Sequence, residues 1–570
     1  MIAAPASQQP CLCCPPVRRP LARRLAVVGL AAAGVGLAGR LAWTCDDAFI
    51  SFRYARNLID GHGLVFNVGE SVEGYTNFLW TVWSAAGMTL GVAPEAWATA
   101  WGLAAFAGAI GLLGTIGRRD GALPIAAASA ALCGPWQIWA TGGLETSAYT
   151  TLLIAGWLVA TAAHASKRRS ALAGVLLAGA TLCRPDGLLA VAVVGGAVLL
   201  RRAAPPSVLG AASSGSPQSE SDRRPRWAQA SVFAAAFGSL WLPWTAWRLA
   251  TYGDFFPNTW YAKSAHLAWF DQGLVYVGLT LREVPWLAAA WLIGLWALVR
   301  AWRQRRPVLR LGSAWLIGSL YTLWVAKVGG GFMHARMLVP AMPFLFVAGD
   351  LAVDELIPSG WAPARRRKAR LGCAVAIVLS LLLAPPALDT GETVRGITDE
   401  RAHYDPALVA RLEADATDIK AVLAGLPVRA AFIGGQARLI YRLEIPVAVE
   451  AETGLTDATI AHQPLTRRGR VGHEKHARPE DLVDRRRLHL VFGAWALRYL
   501  GLDGYVPRVG VRLGDANIFL IGWDPELVRA LVSRGAVVPP FEFEARRLLA
   551  DPAALPADRR ASTLAAIRRF

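Results

Sequence analysis

Two adjacent carboxylates, Asp46 and Asp47, open the stretch Asp46-Asp47-Ala48-Phe49-Ile50-Ser51-Phe52-Arg53-Tyr54-Ala55-Arg56 directly after the first long apolar segment. An ionised pair at the mouth of a membrane span must be matched by a cation, a metal or a proton-transfer task. One carboxylate there can deprotonate a hydroxyl while its neighbour holds a cation or orients a polyol. The plain alternative is a salt bridge to Arg53 or Arg56 on the following helix. The chain continues through Asp60-Gly61-His62-Gly63-Leu64-Val65-Phe66-Asn67 and Val72-Glu73-Gly74-Tyr75-Thr76-Asn77. Here glycines permit tight turns, and His62, Glu73, Tyr75 and Asn77 offer acceptors, rings and an amide suited to carbohydrate hydroxyls. Cations that suit an anionic phosphate are Arg184, Lys263, His334 and Arg336. Long basic side chains also snorkel to headgroups, which is the bland reading of each alone. Glu145 stands at another span end, as helix cap or as substrate contact.

The elements that must position these groups follow from composition. With 54% hydrophobic residues, a mean hydropathy of +0.36 and 18% charged residues over 570 positions, the chain reads as a polytopic α-helical membrane protein. Apolar runs long enough to span, or nearly so, lie at 25–43, 76–93, 96–116, 121–139, 147–163, 170–183, 187–200, 229–250, 283–301, 311–327, 337–357 and 371–386. The net charge of +18 does not point to nucleic acid, because the basic residues fall in short clusters between spans. Arg18, Arg19, Arg23 and Arg24 precede the first run; later clusters are Lys167 to Arg169, Arg201-Arg202 with Arg223, Arg224 and Arg226, Arg300 to Arg310, and Arg365 to Arg370. The positive-inside rule puts these in the cytoplasm and the Asp46-Asp47, Arg184 to Gly187, 251–272 and 329–336 loops outside, with everything after 387. A cytoplasmic N-terminus and an external C-terminal domain need an odd number of crossings, about eleven. The region 76–116 is then the place for a merged or re-entrant segment.

The domain reading is a cytoplasmic tail over 1–24, a membrane catalytic domain over 25–386 and an extracytoplasmic α/β domain over 387–570. Residues 203–228, rich in Ser, Pro, Gly and charge, read as a flexible cytoplasmic loop. Pro185 and Gly187 break the helical pattern, so 170–183 and 187–200 read as a hairpin of short or tilted spans. Beyond 387, strand-like runs at 428–433, 445–451, 488–492 and 516–521 alternate with helical stretches at 407–424, 524–535 and 556–569. No cysteine lies in this part, so it must hold itself by an apolar core rather than by disulfides. The Cys11, Cys13 and Cys14 cluster has no second ligand pair near it to make a metal site.

On these residues the chain resembles the GT-C-type glycosyltransferases, multispan enzymes that use polyprenyl-phosphate sugars on the outer face, with Asp46-Asp47 at that class's signature position. More closely, the ordered series Asp46 to Tyr54, Gly61 to Asn67, Val72 to Asn77, Gly143-Leu144-Glu145-Thr146, Arg184-Pro185-Asp186-Gly187 and Pro257-Asn258-Thr259 resembles the terminal β-(1→2)-arabinofuranosyltransferase group. Gly396 to Arg401, Gly454 to Asp457 and Gly472-His473-Glu474-Lys475 look like further parts of that pattern. The resemblance implies a base at Asp46 or Asp47 and a lipid-phosphate clamp that draws on Arg184, Lys263, His334 and Arg336. Sugar or acceptor contacts would come from Arg53, His62, Glu73, Tyr75, Asn77, Glu145, Asp186, Asn258, His473, Glu474 and Lys475. It also implies inversion in one displacement, a polyprenyl-phosphate-sugar donor and a cell-envelope glycan acceptor bound by the C-terminal domain. No cofactor is required, and a divalent cation at Asp46 and Asp47 is compatible with it. Gly331 stands where relatives often carry an aspartate in Gly-Gly-Asp-Phe-Met, so a carboxylate role there is absent or moved.

Three other classes share part of this pattern. A lipid-linked glycan ligase or polymerase would use a diphosphate donor and favour denser outer arginine. A transporter would carry charges at mid-membrane and show a repeated half, and neither is evident. A glycan-binding envelope scaffold leaves Asp46-Asp47 without a task.

Overall fold

The computed structural model describes residues 21–116, 123–162, 166–201, 227–358, 360–513, 516–555 and 560–570. The basic residues Arg18, Arg19, Arg202 and Arg223 to Arg226, the three N-terminal cysteines and almost all of the 203–228 loop lie outside these residues.

Nearly every apolar run becomes helix, but several of those helices are short. Among the described residues only Leu21–Arg40 and Pro94–Leu113 are long and apolar enough to cross a membrane alone. Phe270–Glu283 and Trp286–Arg303 together make a third candidate, bent by 99° at the break. For the short helices the physical reason is punctuation, whereas Trp227–Tyr252, Leu309–Lys327 and Pro363–Leu382 are long but less apolar. The run at 121–139 divides into Ile125–Ala131 and Gly134–Thr141, where Gly134-Pro135 restarts the chain. The region 76–116 forms two separate helices, Phe78–Thr89 and Pro94–Leu113, the first only 12 residues long. At 1.5 Å per residue that first helix reaches roughly 18 Å, short of a bilayer core.

The break foreseen at Pro185 is present. Lys167–Cys183 starts on a Ser166 cap, whose Oγ accepts from the Arg169 amide at 3.3 Å, and it stops at Arg184. A single tight turn, Pro185–Gly187, leads directly into Leu188–Leu200. Arg184 and Asp186 are thereby fixed at the elbow of two helices.

The C-terminal part is mixed α/β. Its sheet comprises β1 (Arg429–Phe432), β2 (Val447–Glu450), β3 (Leu490–Phe492), β4 (Val509–Leu513) and β5 (Ala516–Leu520), in the order β2-β1-β3-β5-β4. The first three strands run parallel, with Ala430 opposite Ala448 and Leu490. β5 and β4 close the sheet antiparallel. Strand β4 and the helices Ala437–Leu443 and Phe541–Ala550 had no counterpart in the sequence reading.

The helical part and the sheet part are bonded together by motif residues. Asn258 donates through Nδ2 to the carbonyls of Gly454 and Leu455, both at 2.8 Å. Asn67 exchanges two hydrogen bonds with Ala448 on β2, at 2.9 and 3.0 Å. Arg53 donates to the carbonyls of Phe66, at 2.7 Å, and Ile445, at 2.6 Å. The Gly-rich loop joins in: the His334 amide donates to the Thr398 carbonyl at 3.0 Å and the Thr398 amide to the Phe332 carbonyl at 2.9 Å.

Gly74 marks the tightest approach of the two parts. A Cβ there would stand 2.5 Å from the Leu455 carbonyl oxygen and 2.8 Å from the Tyr54 hydroxyl. Gly74→Ala is therefore expected to loosen this seam at a cost of roughly 1–3 kcal/mol, read as a lowered melting temperature in detergent. An unchanged melting temperature would show that the seam yields freely.

Candidate active site

Asp46 and Asp47 part company in the structure. Asp46 precedes the helix Asp47–Ile59 and is buried, with both carboxylate oxygens accepting backbone amides: Ala437 on Oδ2 and Arg438 on Oδ1, each at 2.8 Å. Those amides open the helix Ala437–Leu443, whose N-terminus is a natural seat for a carboxylate. Burial raises the Asp46 pKa to about 6 even though the two amides oppose the shift. Asp46 thus ties the first loop to the C-terminal part, and with both oxygens occupied it does not chelate a cation together with Asp47. No group of three or more His, Cys, Asp or Glu gathers as a metal site among the described residues. No step is routed through the divalent cation that the sequence left open.

Asp47 is partly exposed and makes no hydrogen bond or ion pair among the described residues. Lys263 is exposed and its side chain has no hydrogen-bond or ion-pair partner among the described residues. Desolvation lowers the Lys263 pKa; attraction by Asp47 opposes this, and repulsion by Arg336 and Arg184 adds to it. A free base, a free ammonium and two guanidiniums therefore share one cleft. Lys263 ends the short helix Asn258–Ala262 and packs within 3.8 Å of where a Gly472 Cβ would stand.

Glu145 orders the two arginines. Its Oε1 accepts from Arg184 Nη1 at 3.1 Å and from Arg336 Nη2 at 3.3 Å, and its Oε2 accepts from Asn77 Nδ2 at 3.0 Å. Burial would raise its pKa, but Arg336 and Arg184 prevail and hold it below the ordinary glutamate value. Arg184 is further fixed by Asp186, at 2.9 Å, and Asp186 accepts in turn from the Tyr321 hydroxyl. Arg336 lies over the Trp139 ring, 5.6 Å from its centroid. Glu145 is thus the holder of the clamp rather than a simple helix cap, and Asn77 and Asp186 serve the same clamp.

The other expected residues divide between cleft and scaffold. His473 lies in the cleft, 4.0 Å from Glu452 and edge-on to Phe332 at 4.5 Å. Desolvation lowers its pKa against the pull of Glu452 and Asp47. His334 does not join the clamp, because its Nε2 is committed to Glu283 at 2.7 Å. Arg53, Asn258 and Lys475 belong to the seam; the Lys475 ammonium donates to the carbonyls of Tyr261, at 2.6 Å, and Ala461, at 2.7 Å. Glu73 is a buried partner of Arg248 at 2.9 Å, and Tyr75 meets Tyr252 hydroxyl to hydroxyl at 3.0 Å. Glu474 pairs with Arg468 at 3.0 Å. His62 is exposed on its loop, and its side chain meets none of the cleft groups. Arg53, Glu73, Tyr75, Asn258, Glu474 and Lys475 were read as sugar contacts, and here their side chains are bonded to protein atoms.

Three cleft residues escaped the sequence reading. Arg470 is exposed and acts on both His473 and Glu400. Glu452 accepts from the Gly434 amide at 2.7 Å beside His473. Glu400 faces Asp47, with Oε1 accepting from the Tyr404 hydroxyl at 3.3 Å and Oε2 buried without a partner. Only Glu400 carried a signal, as the acid of the Gly396 to Arg401 motif.

Burial, followed by repulsion from Asp47, raises the Glu400 pKa to about 7. Its ordinary value is 4.5, so folding favours the protonated form. That stabilisation is complete below the unfolded pKa and is lost as pH rises through about 7. Glu400→Gln, which keeps the neutral form, is expected to raise the melting temperature at pH 8 and to leave it unchanged at pH 4. Equal shifts at the two pH values would contradict the assignment.

No family model matches the chain. It is 26% identical to the terminal β-(1→2)-arabinofuranosyltransferase of Mycobacterium tuberculosis, over 84% of this chain and 86% of that one. It is 28% identical to the Corynebacterium glutamicum protein of the same name, over 56% of this chain and 49% of that protein. In structure it is similar to ArnT from Cupriavidus metallidurans, solved bound to undecaprenyl phosphate, with a TM-score of 0.53 over 87% of this chain and 97% of that one at 13% identity. The chain is thus similar in sequence to the terminal β-(1→2)-arabinofuranosyltransferases and in fold to ArnT, and that kinship supports a glycosyltransferase.

Proposed function

We propose that the protein transfers a sugar, arabinofuranose by its kinship, from a polyprenyl-monophosphate donor to a cell-envelope glycan on the outer face of the plasma membrane. The observation that carries this is the pairing of Arg184 and Arg336 on one buried carboxylate beside the free Asp47 and Lys263. Two guanidiniums and an ammonium suit a departing phosphate, and the unpaired carboxylate suits an acceptor hydroxyl. An apolar cavity of about 570 Å³ supports a lipid donor. Leu274, Val277, Leu281, Leu323, Leu338 and Leu345 are among its walls, and Leu338 is two residues from Arg336. A prenyl chain seated there would bring its phosphate to the clamp.

In this reading Asp47 takes the proton of the acceptor hydroxyl as the oxygen attacks the anomeric carbon and the lipid phosphate leaves toward Arg184, Arg336 and Lys263. Negative charge grows on the leaving oxygen, so the clamp acts most strongly in the transition state. One displacement inverts the anomeric carbon. Retention in the product would instead make an enzyme carboxylate a nucleophile. By the positive-inside rule, the basic clusters before the first apolar run and after 200 support a cytoplasmic side for those stretches, and with it an outer face for the cleft and the 387–570 domain. That domain presents the acceptor glycan to Asp47.

The test of donor class is competition. Polyprenyl monophosphate without sugar is expected to inhibit transfer, and Lys263→Met to weaken that inhibition about ten-fold or more. Polyprenyl diphosphate inhibiting better than monophosphate would favour the ligase reading.

A further inference from the structure

The helix Ala494–Tyr499 packs on β3 and β5 through Ala496 and Leu497, which are buried. The spacing of its remaining residues turns Trp495, Arg498 and Tyr499 outward together. Trp495 is 59% exposed and Tyr499 37%, and their rings stack at 4.8 Å with 24° between planes. His476 stands edge-on to Tyr499 at 5.1 Å. Large rings this exposed, held rigid, on a soluble α/β part with a well-filled core of its own, are not needed for folding.

The rim of this surface is polar and leads inward. The Tyr499 hydroxyl donates to Glu452 Oε1 at 3.0 Å, and Glu452 Oε2 lies 4.0 Å from His473 Nε2. His473 in turn feels the charge of Asp47. A line of polar groups therefore leads from the stacked rings to His473, on the side where Asp47 acts.

We propose that Trp495 and Tyr499 form a sugar-stacking subsite for the acceptor glycan, occupied by a unit internal to the chain while its terminal unit reaches Asp47. This rests on the transferase reading above and adds where the acceptor lies. Flat aromatic faces take the C–H face of a sugar ring at little entropic cost, and the exposed His476 and Arg498 at the edge take its hydroxyls. A protein partner would want a broader apolar patch, and a membrane would not need the buried Glu452 link toward the cleft.

The experiment compares two acceptors, an alkyl glycoside of one arabinofuranose unit and a synthetic tetra-arabinofuranoside, with full-length protein in nanodiscs. Trp495→Ala is expected to raise KM for the tetramer about ten-fold at unchanged kcat, with no effect on the single-unit acceptor. Trp495→Phe, which keeps a ring, is expected to recover most of the loss. Unchanged KM for the tetramer in Trp495→Ala would overturn the subsite, and that is also the outcome if the rings rest on lipid. An equal loss on both acceptors would overturn it too, because the effect would then be structural. Wild-type protein that transfers to neither acceptor would overturn the transferase reading, and the subsite with it.

Discussion

Asp47→Asn is expected to lower transfer by on the order of 10³-fold while leaving the protein folded and able to bind donor. The amide is isosteric but cannot accept the acceptor's proton. Asp47 makes no hydrogen bond or ion pair among the described residues, so no scaffold contact is lost. Asp46→Asn is expected to behave differently. Its two oxygens hold the Ala437 and Arg438 amides, and an amide side chain keeps one acceptor only. The expected result is a lower melting temperature with a modest loss of kcat. Equal losses of kcat from the two variants at unchanged stability would mean that the pair acts as a unit.

Removing the carboxylate at Glu145 is expected to have the largest effect on the donor side. Glu145→Ala leaves Arg184 and Arg336 without their shared partner in a buried setting, a change that costs about 3–5 kcal/mol in comparable sites. Asp186 still holds Arg184, so that arginine is expected to stay near its place while Arg336 moves. Glu145→Gln keeps the shape and one acceptor, and is expected to fold but to raise KM for the donor. A Glu145→Gln variant with wild-type donor KM would show that the clamp does not depend on Glu145.

Asp47, Arg184, Lys263 and Arg336 were legible in the sequence because charged residues at the ends of apolar runs have few structural reasons to be there. His473 and Asn77 were legible as motif members, with their surroundings left open. What could not be read was the direction each side chain takes across the seam. Arg53, Asn258 and Lys475 lie among the same motifs as the cleft residues, yet their donors end on the carbonyls of Ile445, Gly454 and Ala461, 392 and 196 positions away for the first two. No local spacing encodes such a pairing. Asp46 is the sharpest case, since its neighbour in sequence is free while it is fully bonded to a helix N-terminus.

The fold shows the same division. Helix positions followed from hydropathy, and the elbow at Arg184 from Pro185 and Gly187. Helix lengths did not follow, because Gly134-Pro135 and the stop after Thr89 cut continuous apolar runs into pieces. In the C-terminal part the hydrophobic strands β1, β2, β3 and β5 were found where their runs lie. Strand β4 was missed although Val509, Val511 and Leu513 alternate with Gly510 and Arg512, the pattern of a half-buried strand, because the run is short and not continuously apolar. Glu400 was read as a member of the Gly396 to Arg401 motif without a role of its own; its position beside Asp47 makes it notable.

The most direct measurement is transfer by the purified full-length protein in nanodiscs, with a panel of polyprenyl-monophosphate sugars that includes the arabinofuranosyl donor, and with Asp47→Asn in parallel. Turnover with one monophosphate donor by the wild type, abolished in the variant, is the predicted result. Turnover retained in Asp47→Asn, or none with any monophosphate donor from folded protein, would contradict a lipid-phosphate transferase centred on Asp47.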